Sequence, residues 1–329
     1  MKSDLRFCLV GRGSIGTRHI KNLKELSFHN IIAYSENLQQ DKDKEYSENY
    51  DIKTYSEWKD VRSFKPHVFI LANPTSEHVR IAKMALELNG HIFMEKPLAH
   101  RLSDAEELER RLSEKNVVFF LANNLHFHPA LTTIKKFIDD GMFGEIYFAR
   151  IMVGQYLPDW HPWEDYRDGY SARKQLGGGA ILTLQHEIDT AYWLFGKFKR
   201  LQSFVKKISD LEINVEDIAS IILETELGKL VEVHLDYLQR PAKRSIHIQG
   251  SKGSVEYCFG DQWLRFYDFK QQEYQDVINL SQYGNNRMYK EEMEHFIRCV
   301  IENEVPEIGI ADAMYTLQVC LKAKMDFLL

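Results

Sequence analysis

Through the first 122 residues, short apolar runs alternate with segments in which apolar residues recur at helical spacing. Strand-like runs lie at Leu5–Val10, Ile31–Ser35, Val68–Ala72, His91–Met94 and Val117–Ala122. Helical patterns lie between several of them, at Ser14–Leu26, Ser76–Leu88 and Ser103–Lys115. Because strands that are buried on both faces are apolar throughout, this alternation predicts a parallel sheet with helices on both sides.

The pattern changes after Asn123. The elements predicted there are a helix near Pro129–Asp140, a strand over Glu145–Val153, one apolar helix over Ala180–Phe195, a hairpin of Ser245–Gln249 with Ser254–Tyr257, and helices at Arg287–Glu302 and Ile310–Phe327. Regularly spaced strands between 201 and 267 favour a largely antiparallel sheet. The chain is therefore predicted to be an α/β protein, with one domain over 1–122 and an α+β domain over 123–329 whose last helix can pack back on the first domain.

Composition and charge place the chain among ordinary soluble proteins. Of its 329 residues 44% are hydrophobic and 27% are charged, and the net charge is −6. A nucleic-acid-binding protein is expected to be basic, and no apolar stretch approaches the roughly 18 residues that cross a bilayer. The start lacks a signal-peptide pattern, and the four scattered cysteines fit a reducing compartment. We therefore expect a cytoplasmic protein without nucleic-acid or membrane partners.

A glycine-rich loop follows the first predicted strand and opens the first predicted helix. Its residues are Gly11, Arg12, Gly13, Ser14, Ile15 and Gly16. The glycines permit a tight turn and a close approach of backbone amides to a pyrophosphate. Glu36 ends the second strand, 20 residues beyond Gly16, where a carboxylate accepts hydrogen bonds from the adenosine ribose hydroxyls. The arrangement predicts a dinucleotide site formed by the loop and Glu36.

Glu36 also bears on which dinucleotide is bound. A carboxylate repels a 2′-phosphate, and sites for NADP usually place an arginine there. The neighbours Ser35 and Asn37 supply no cation. NAD is therefore the predicted cofactor, while Arg12 keeps NADP open as the alternative, because a flexible cation in the loop is able to reach a 2′-phosphate.

Lys96 lies just beyond the predicted strand His91–Met94, in the sequence Glu95-Lys96-Pro97. Ligands of open parallel sheets bind at the carboxyl ends of the strands. A lysine at that edge can exchange a proton with a substrate hydroxyl. We interpret Lys96 as a candidate acid–base residue, with a solvated loop lysine as the alternative interpretation.

Several segments, in their order and spacing, resemble the Gfo/Idh/MocA family, which is named for glucose–fructose oxidoreductase, inositol dehydrogenase and rhizopine catabolism. The segments are Gly11–His19, Ala72–His78, Glu95–Leu98, Asn124–Pro129, Gly177–Ala180 with His186 and Asp189 beyond, and Gly250–Gly253. The resemblance covers nearly the whole chain. It implies an N-terminal Rossmann domain and a C-terminal domain with a large open sheet. It also implies hydride transfer at a carbinol or ketone of a sugar, sugar acid or nucleotide sugar, and a homodimer or homotetramer formed through that sheet.

The resemblance also implies roles for single residues. Lys96 matches the family's catalytic lysine, and His186 matches its catalytic-site histidine. The residues implied to line the cofactor are Asn73, Pro74, Thr75, His78, Glu95 and Lys96. Two positions depart from the family pattern, because Thr183 stands where an aspartate is usual and His126 stands where an arginine is common. The missing aspartate would otherwise orient or charge-balance Lys96 and His186.

The helix predicted after Gly179 carries Thr183, His186 and Asp189 at a spacing of three residues. On an unbroken helix these side chains share one face. Because imidazole titrates near neutral pH, His186 suits acid–base chemistry or a hydrogen bond to a substrate hydroxyl, with Asp189 as a possible orienting partner. A histidine that is buried for structural reasons is the alternative interpretation.

A loop without a regular pattern spans residues 155–175 and is rich in Trp, His, Tyr and Pro. Sugars present apolar C–H faces and a rim of hydroxyl groups, which aromatic and charged side chains can cover. Together with Thr183 and His126, the side chains predicted to contact such a substrate are Trp160, Trp163, Tyr166 and Arg167. Long irregular loops often form functional lids, and a packed surface or interface loop is the alternative.

Other chemistries find less support in the sequence. No zinc motif fixes a ligand set, and neither a nucleophile elbow nor a Walker A loop is present. We therefore predict no metal. Two rival functions remain compatible with the same fold: an NAD-dependent glycosidase that acts by transient oxidation, and a non-catalytic sensor that binds a dinucleotide.

Overall fold

The protein is described by a computed structural model over residues 4–38 and 40–325. These residues form two compact units. The first comprises the described residues up to Asn124 together with Asn286–Leu317, and the second comprises Leu125–Asn285 and the described residues from Gln318 onward. Within these ranges, no helix is long and apolar enough to cross a membrane.

The first unit is built on a six-stranded parallel sheet. Its strands are β1 (Phe7–Val10), β2 (Ile31–Tyr34), β3 (Lys53–Tyr55), β4 (Val68–Leu71), β5 (His91–Met94) and β6 (Phe119–Leu121), in the order β3-β2-β1-β4-β5-β6. Every neighbouring pair is parallel, which confirms the prediction. The strand order reverses between β1 and β4, so the crevice where such sheets bind ligands lies beyond the carboxyl ends of these two strands.

Helices flank this sheet. They are α1 (Ser14–Glu25), α2 (Gln40–Tyr50), α3 (Trp58–Phe64), α4 (Thr75–Glu87), α5 (Leu102–Ser113) and, from the C-terminal segment, α9 (Asn286–Glu302). Helix α9 packs against α1, and its Phe296 meets Phe93 of β5 with ring centroids 5.3 Å apart. The sequence pattern does not predict α2, β3 or α3, because α2 is polar apart from two tyrosines and β3 has only three residues.

The second unit contains an eight-stranded sheet. Its strands are β7 (Ile146–Gly154), β8 (Phe198–Lys206), β9 (Ile218–Thr225), β10 (Leu230–Asp236), β11 (Lys243–Gly250), β12 (Gly253–Cys258), β13 (Trp263–Asp268) and β14 (Glu273–Asn279), in the order β14-β13-β12-β11-β7-β10-β9-β8. Only the β7–β10 pair is parallel among these strands, which confirms a mainly antiparallel sheet.

One face of this sheet is covered by helices of the same unit. The helices of this unit are α6 (Pro129–Asp139), α7 (Ala180–Thr183) and α8 (His186–Phe195). The last helix, α10 (Ile310–Lys324), belongs to the first unit up to Leu317 and to the second from Gln318, and the sequence predicts it to run to Phe327, outside the described residues. Helix α7 packs on β9, and α8 packs on β7 and β10. Buried and exposed residues alternate along β9 and β10, so within this unit the opposite face of the sheet is open.

The single helix predicted over Ala180–Phe195 is wrong in one respect, because the structure divides it into α7 and α8. Leu184 leaves helical geometry with φ −102° and ψ 28°, and α8 begins again at His186. No glycine or proline stands between the two helices, so the sequence carries no signal for the break. Thr183 and His186 therefore lie on different helices, and the inference that they share one helix face fails.

Candidate active site

The glycine-rich loop joins β1 to α1 and forms a cradle. Gly11 has a φ of +101°, and a Cβ there would lie 2.3 Å from the backbone of Ala72. A Cβ on Gly16 would lie 2.1 Å from the carbonyl oxygen of Gly11. At Gly13, in contrast, no described atom lies within 4 Å of the Cβ position, and no side chain caps the N-terminus of α1. Open space in front of uncapped amides fits the predicted pyrophosphate.

The loop after β4 is tied to the loop that carries Lys96. His78, on α4, places its Nε2 2.9 Å from the carbonyl oxygen of Asn73 and its Nδ1 2.8 Å from that of Pro97. Burial lowers the pKa of His78 by more than the two carbonyl acceptors raise it. The buried Oδ1 of Asn73 has no hydrogen-bond partner among the described residues. An orphaned acceptor beside the cradle fits a ligand with hydroxyl or amide donors.

Glu36 lies at the carboxyl end of β2, and its carboxylate already accepts hydrogen bonds from protein side chains. Arg80 of α4 donates to both of its oxygens, at 2.8 and 3.1 Å, and Tyr34 donates to Oε1 at 3.2 Å. Arg12, the cation that the sequence leaves open for a 2′-phosphate, instead forms an ion pair with Asp43. The structure therefore places Arg80, and not Arg12, beside the predicted ribose site.

Lys96 follows β5 directly and stands beside a hydrogen-bonded pair, His19 and Glu95. Glu95 accepts a hydrogen bond from Nε2 of His19, a buried residue of α1, at 2.7 Å. Burial by itself raises the pKa of Glu95, but the hydrogen bond and charge of His19, followed by the charge of Lys96, hold it below the ordinary value. A negative charge is thus fixed next to Lys96, and sequence reasoning gives no role to His19.

A second carboxyl group, Glu292 of α9, is fully buried near Glu95. Neither of its oxygens has a hydrogen-bond partner by distance and angle among the described residues. Burial, followed by the charge of Glu95, raises the pKa of Glu292 well above its ordinary value, and the backbone amide of Asn123 opposes that shift. Glu292 is therefore the protonated member of this carboxyl pair.

We expect Glu292→Gln to stabilise the protein as the pH rises. In the unfolded chain this carboxyl ionises near its ordinary pKa of 4.5, whereas in the folded protein it keeps its proton. The folded state therefore loses stability between the unfolded and folded pKa, by about 1.4 kcal/mol per unit of difference. Urea unfolding at about pH 4 and pH 8 should show the variant equal to the parent at the lower pH and more stable at the higher pH.

Glu302→Gln, on the exposed end of the same helix, is the control and should change little. An advantage of Glu292→Gln that is constant across this range would contradict a buried, protonated Glu292. So would a variant that becomes less stable as the pH rises.

In the second unit, His126 and Asp189 form a buried pair. Nε2 of His126 donates to Oδ2 of Asp189 over 2.6 Å, and both side chains are almost inaccessible. The His126 ring also stacks on Trp193, one turn along α8, with centroids 4.1 Å apart. Asp189, considered in the sequence as a partner of His186, is thus bonded to His126, which in turn is held against α8.

Thr183 and His186 lie on either side of the break between α7 and α8. The buried hydroxyl of Thr183 lies near Tyr237, whose phenol also donates to the carbonyl oxygen of Ser171 at 3.3 Å. Burial raises the pKa of Tyr237 well above its ordinary value, so this phenol is a hydrogen-bonding group and not a base. His186 is half-buried at the first position of α8.

The aromatic loop is only partly arranged for ligand binding. Trp160 packs edge-on against Tyr237, whereas Trp163 is 73% exposed. Arg167 is held by Asp165 at 2.6 Å and by Glu212 at 2.5 Å. An anionic group would have to displace one of these carboxylates to bind Arg167. The Tyr166 hydroxyl accepts from the backbone amide of Glu212 at 3.1 Å.

The glycine turn before α7 rests on a buried ion pair that the sequence does not reveal. Glu216 is fully buried, its Oε2 lies 2.9 Å from Nζ of Lys324, and its Oε1 accepts from the Ile181 amide at 3.3 Å. Lys324 also donates to the carbonyl oxygen of Gly178 at 3.0 Å. Burial raises the pKa of Glu216, and the charge of Lys324 opposes that shift. The pair holds the N-terminus of α7 in place.

No group of three or more His, Cys, Asp or Glu side chains in the described ranges is arranged to hold a metal ion. The sequence gives no role to six residues whose contacts the structure shows in these clusters: His19, Arg80, Glu216, Tyr237, Glu292 and Lys324. Each of these residues contacts partners that are distant in the sequence. Arg80 in addition contacts Glu77, three residues earlier on α4. A single sequence offers no signal for such pairs.

Two family profiles match most of the chain. Residues 5–123 match the profile of the oxidoreductase family with an NAD-binding Rossmann fold, and residues 131–256 match that of the GFO/IDH/MocA C-terminal domain. Levoglucosan dehydrogenase of Pseudarthrobacter phenanthrenivorans is 32% identical over 139 residues, which are 42% of this chain and 35% of that protein.

Two further similarities extend over nearly the whole chain. Myo-inositol 2-dehydrogenase of Thermotoga maritima is 24% identical, over 97% of this chain and 95% of its own length. A solved structure of levoglucosan dehydrogenase in complex with NADH and levoglucosan has a TM-score of 0.86 at 19% identity, covering 98% of this chain and 96% of that one. The structural likeness shows that the fold is shared.

Proposed function

Because the chain belongs to the Gfo/Idh/MocA family of oxidoreductases with an NAD-binding Rossmann fold, we propose that it transfers a hydride between the nicotinamide of NAD and a carbinol or ketone carbon of a sugar, sugar acid or nucleotide sugar. The relatives named as inositol and levoglucosan dehydrogenases act on polyhydroxylated rings, which supports that substrate class. The observation that carries the proposal is Lys96, fixed at the carboxyl edge of the sheet that also holds the glycine cradle.

The bound nicotinamide supplies the hydride acceptor or donor. Nζ of Lys96 takes the hydroxyl proton of the substrate during oxidation and returns it during reduction. The carboxylate of Glu95, held by His19, supplies a counter-charge for the ammonium that forms when Lys96 takes this proton. His78 links the loop that carries Lys96 to the loop after β4, because its ring contacts the carbonyl oxygens of Pro97 and Asn73.

The second unit supplies the substrate contacts in this proposal. His186, at the start of α8, is the second acid–base group or hydroxyl ligand. His126, which the sequence places among the substrate contacts, is already ordered by its hydrogen bond to Asp189 and its stacking on Trp193. Asp189 therefore acts as a positioning residue for His126. The half-buried Trp160 and the exposed Trp163 are the aromatic surfaces proposed to cover a sugar face.

A substrate panel tests the proposed function. Free sugars, sugar acids, cyclitols and nucleotide sugars are incubated with NAD, and NADH absorbance is followed together with product analysis by mass spectrometry. One NADH for each oxidised product is the expected result. Cleavage of a glycosidic bond without net NADH would indicate a glycosidase, and tight NAD binding without turnover on any compound would indicate a sensor. Either result overturns the proposal.

We also propose that two or four copies associate through the open face of the eight-stranded sheet. Phe204, Ile222 and Leu230 are exposed on neighbouring strands of that face, and Phe204 is 75% exposed. In the strand register they are diagonal neighbours, and exposed apolar residues grouped on one sheet face are typical of an interface. A cytoplasmic location fits the four cysteines, all of which are free thiols.

Phe204→Glu is expected to convert the oligomer to a monomer, because a charge would be buried at the contact. Light scattering during gel filtration gives the mass directly. Leu227→Glu is the matched control, since Leu227 is 80% exposed at the turn between β9 and β10. If the parent protein is itself monomeric, or if Phe204→Glu keeps the parent mass, the proposed interface is wrong.

A further inference from the structure

The guanidinium of Arg80 is hydrogen-bonded to the carboxylate of Glu36, the group that is expected to bind the adenosine ribose. Its Nη1 donates to Oε1 of Glu36 at 2.8 Å and its Nη2 donates to Oε2 at 3.1 Å. This two-pronged geometry is the one that guanidinium adopts with carboxylates and with phosphates alike. The guanidinium of Arg80 thus already lies at the end of β2 in a geometry that also suits a phosphate.

The pair is placed where it can rearrange. Arg80 and Glu36 have side-chain exposures of 44% and 51%. Nε of Arg80 is also held by Glu77, one turn earlier on α4, at 2.6 Å. Glu77 therefore keeps the guanidinium near β2 even when the two hydrogen bonds from Arg80 to Glu36 are broken. An exposed ion pair of this kind contributes little to stability. Replacing the Glu36 carboxylate by a phosphate as the partner of Arg80 therefore costs little free energy.

Arg12, the other cation of the described residues near the end of β2, is already engaged. Arg12 is paired with Asp43, donates to the carbonyl oxygen of Asn37 at 3.3 Å, and its side chain is only 6% exposed. Its charge is therefore neutralised inside the unit. Arg80 is consequently the residue that can offset the repulsion between Glu36 and a 2′-phosphate.

We propose that Arg80 determines cofactor specificity, by holding Glu36 when NAD is bound and turning its guanidinium to the 2′-phosphate when NADP is bound. The site then accepts both dinucleotides, with NAD preferred because Glu36 remains. The inference rests on the proposed dinucleotide-binding function. It adds that one arginine on α4, outside the glycine loop, sets the ratio between the two cofactors.

Calorimetric titration with NAD and with NADP tests this without any sugar substrate. The proteins compared are the parent, Arg80→Met, Glu36→Gln, the double variant and Arg110→Met. Arg110, on α5, forms a similar exposed pair with Glu114 at 3.0 Å and serves as the matched control. Arg80→Met should weaken NADP binding by about 10- to 100-fold and change NAD binding by less than about threefold.

Glu36→Gln should strengthen NADP binding while weakening that of NAD, and the double variant should lose that gain. Equal effects of Arg80→Met on the two cofactors would overturn the inference, as would absence of NADP binding in both the parent and Glu36→Gln. If NAD itself does not bind to the parent, both the proposed function and the role of Arg80 are wrong. NAD binding with an unchanged NADP affinity in Arg80→Met refutes the role of Arg80 alone.

Discussion

Lys96→Met is expected to lower kcat by about 10²- to 10⁴-fold, the range that a positioned acid–base group contributes. Methionine has a similar length and packs in the same space, but it cannot carry a proton. Affinity for NAD should stay within a few-fold, because the backbone amides of the glycine loop, and not Lys96, are expected to bind the phosphates. Steady-state turnover and calorimetric NAD binding together measure the two effects.

Lys59→Met is a suitable control for this variant, because Lys59 is an exposed lysine of α3. It should behave as the parent does in both assays. A Lys96→Met variant that keeps parental kcat would remove Lys96 from the chemistry. Loss of NAD binding instead of kcat would assign it to cofactor binding alone.

Glu216→Ala is expected to destabilise the protein by about 3–5 kcal/mol. Removing one partner of a buried ion pair leaves the other charge uncompensated, here the ammonium of Lys324. The variant also removes the acceptor of the Ile181 amide, at the N-terminus of α7. Urea unfolding gives the free-energy change, and Glu216→Gln, which keeps the shape and one acceptor, should lose less.

Asp139→Ala provides the contrast between a buried and an exposed ion pair. Asp139 pairs with Lys135 at 2.5 Å on the surface of α6, so its loss should be worth at most about 1 kcal/mol. Equal effects of Glu216→Ala and Asp139→Ala would show that the Glu216–Lys324 pair does not stabilise the fold.

The parallel sheet and the glycine cradle were predictable because their signals are local. Continuous apolar runs such as Val68–Leu71 have one physical explanation, burial on both faces, and the loop 11–16 has a backbone that only glycine permits at Gly11. The same locality explains the failure at α2, whose polar sequence gives no periodic pattern although Tyr46 is fully buried.

The contacts of the site were less predictable, because they join residues far apart in the chain. The sequence places Asp189 three residues after His186, and nothing local indicates that it bonds to His126, 63 residues earlier. Arg80 and Glu36 are likewise 44 residues apart. A helix break without glycine or proline, as at Leu184, depends on tertiary packing and not on local propensity.

Transfer of deuterium from the nicotinamide to the product distinguishes hydride transfer by this protein from the other functions. The protein is incubated with NADH deuterated at the transferable position of the nicotinamide and with a panel of keto sugars, keto sugar acids and inososes, and products are examined by mass spectrometry. We expect one deuterium, bound to the new carbinol carbon, in the reduced product. Products in which that hydrogen comes from solvent, or no reduced product in the presence of bound NADH, would contradict it.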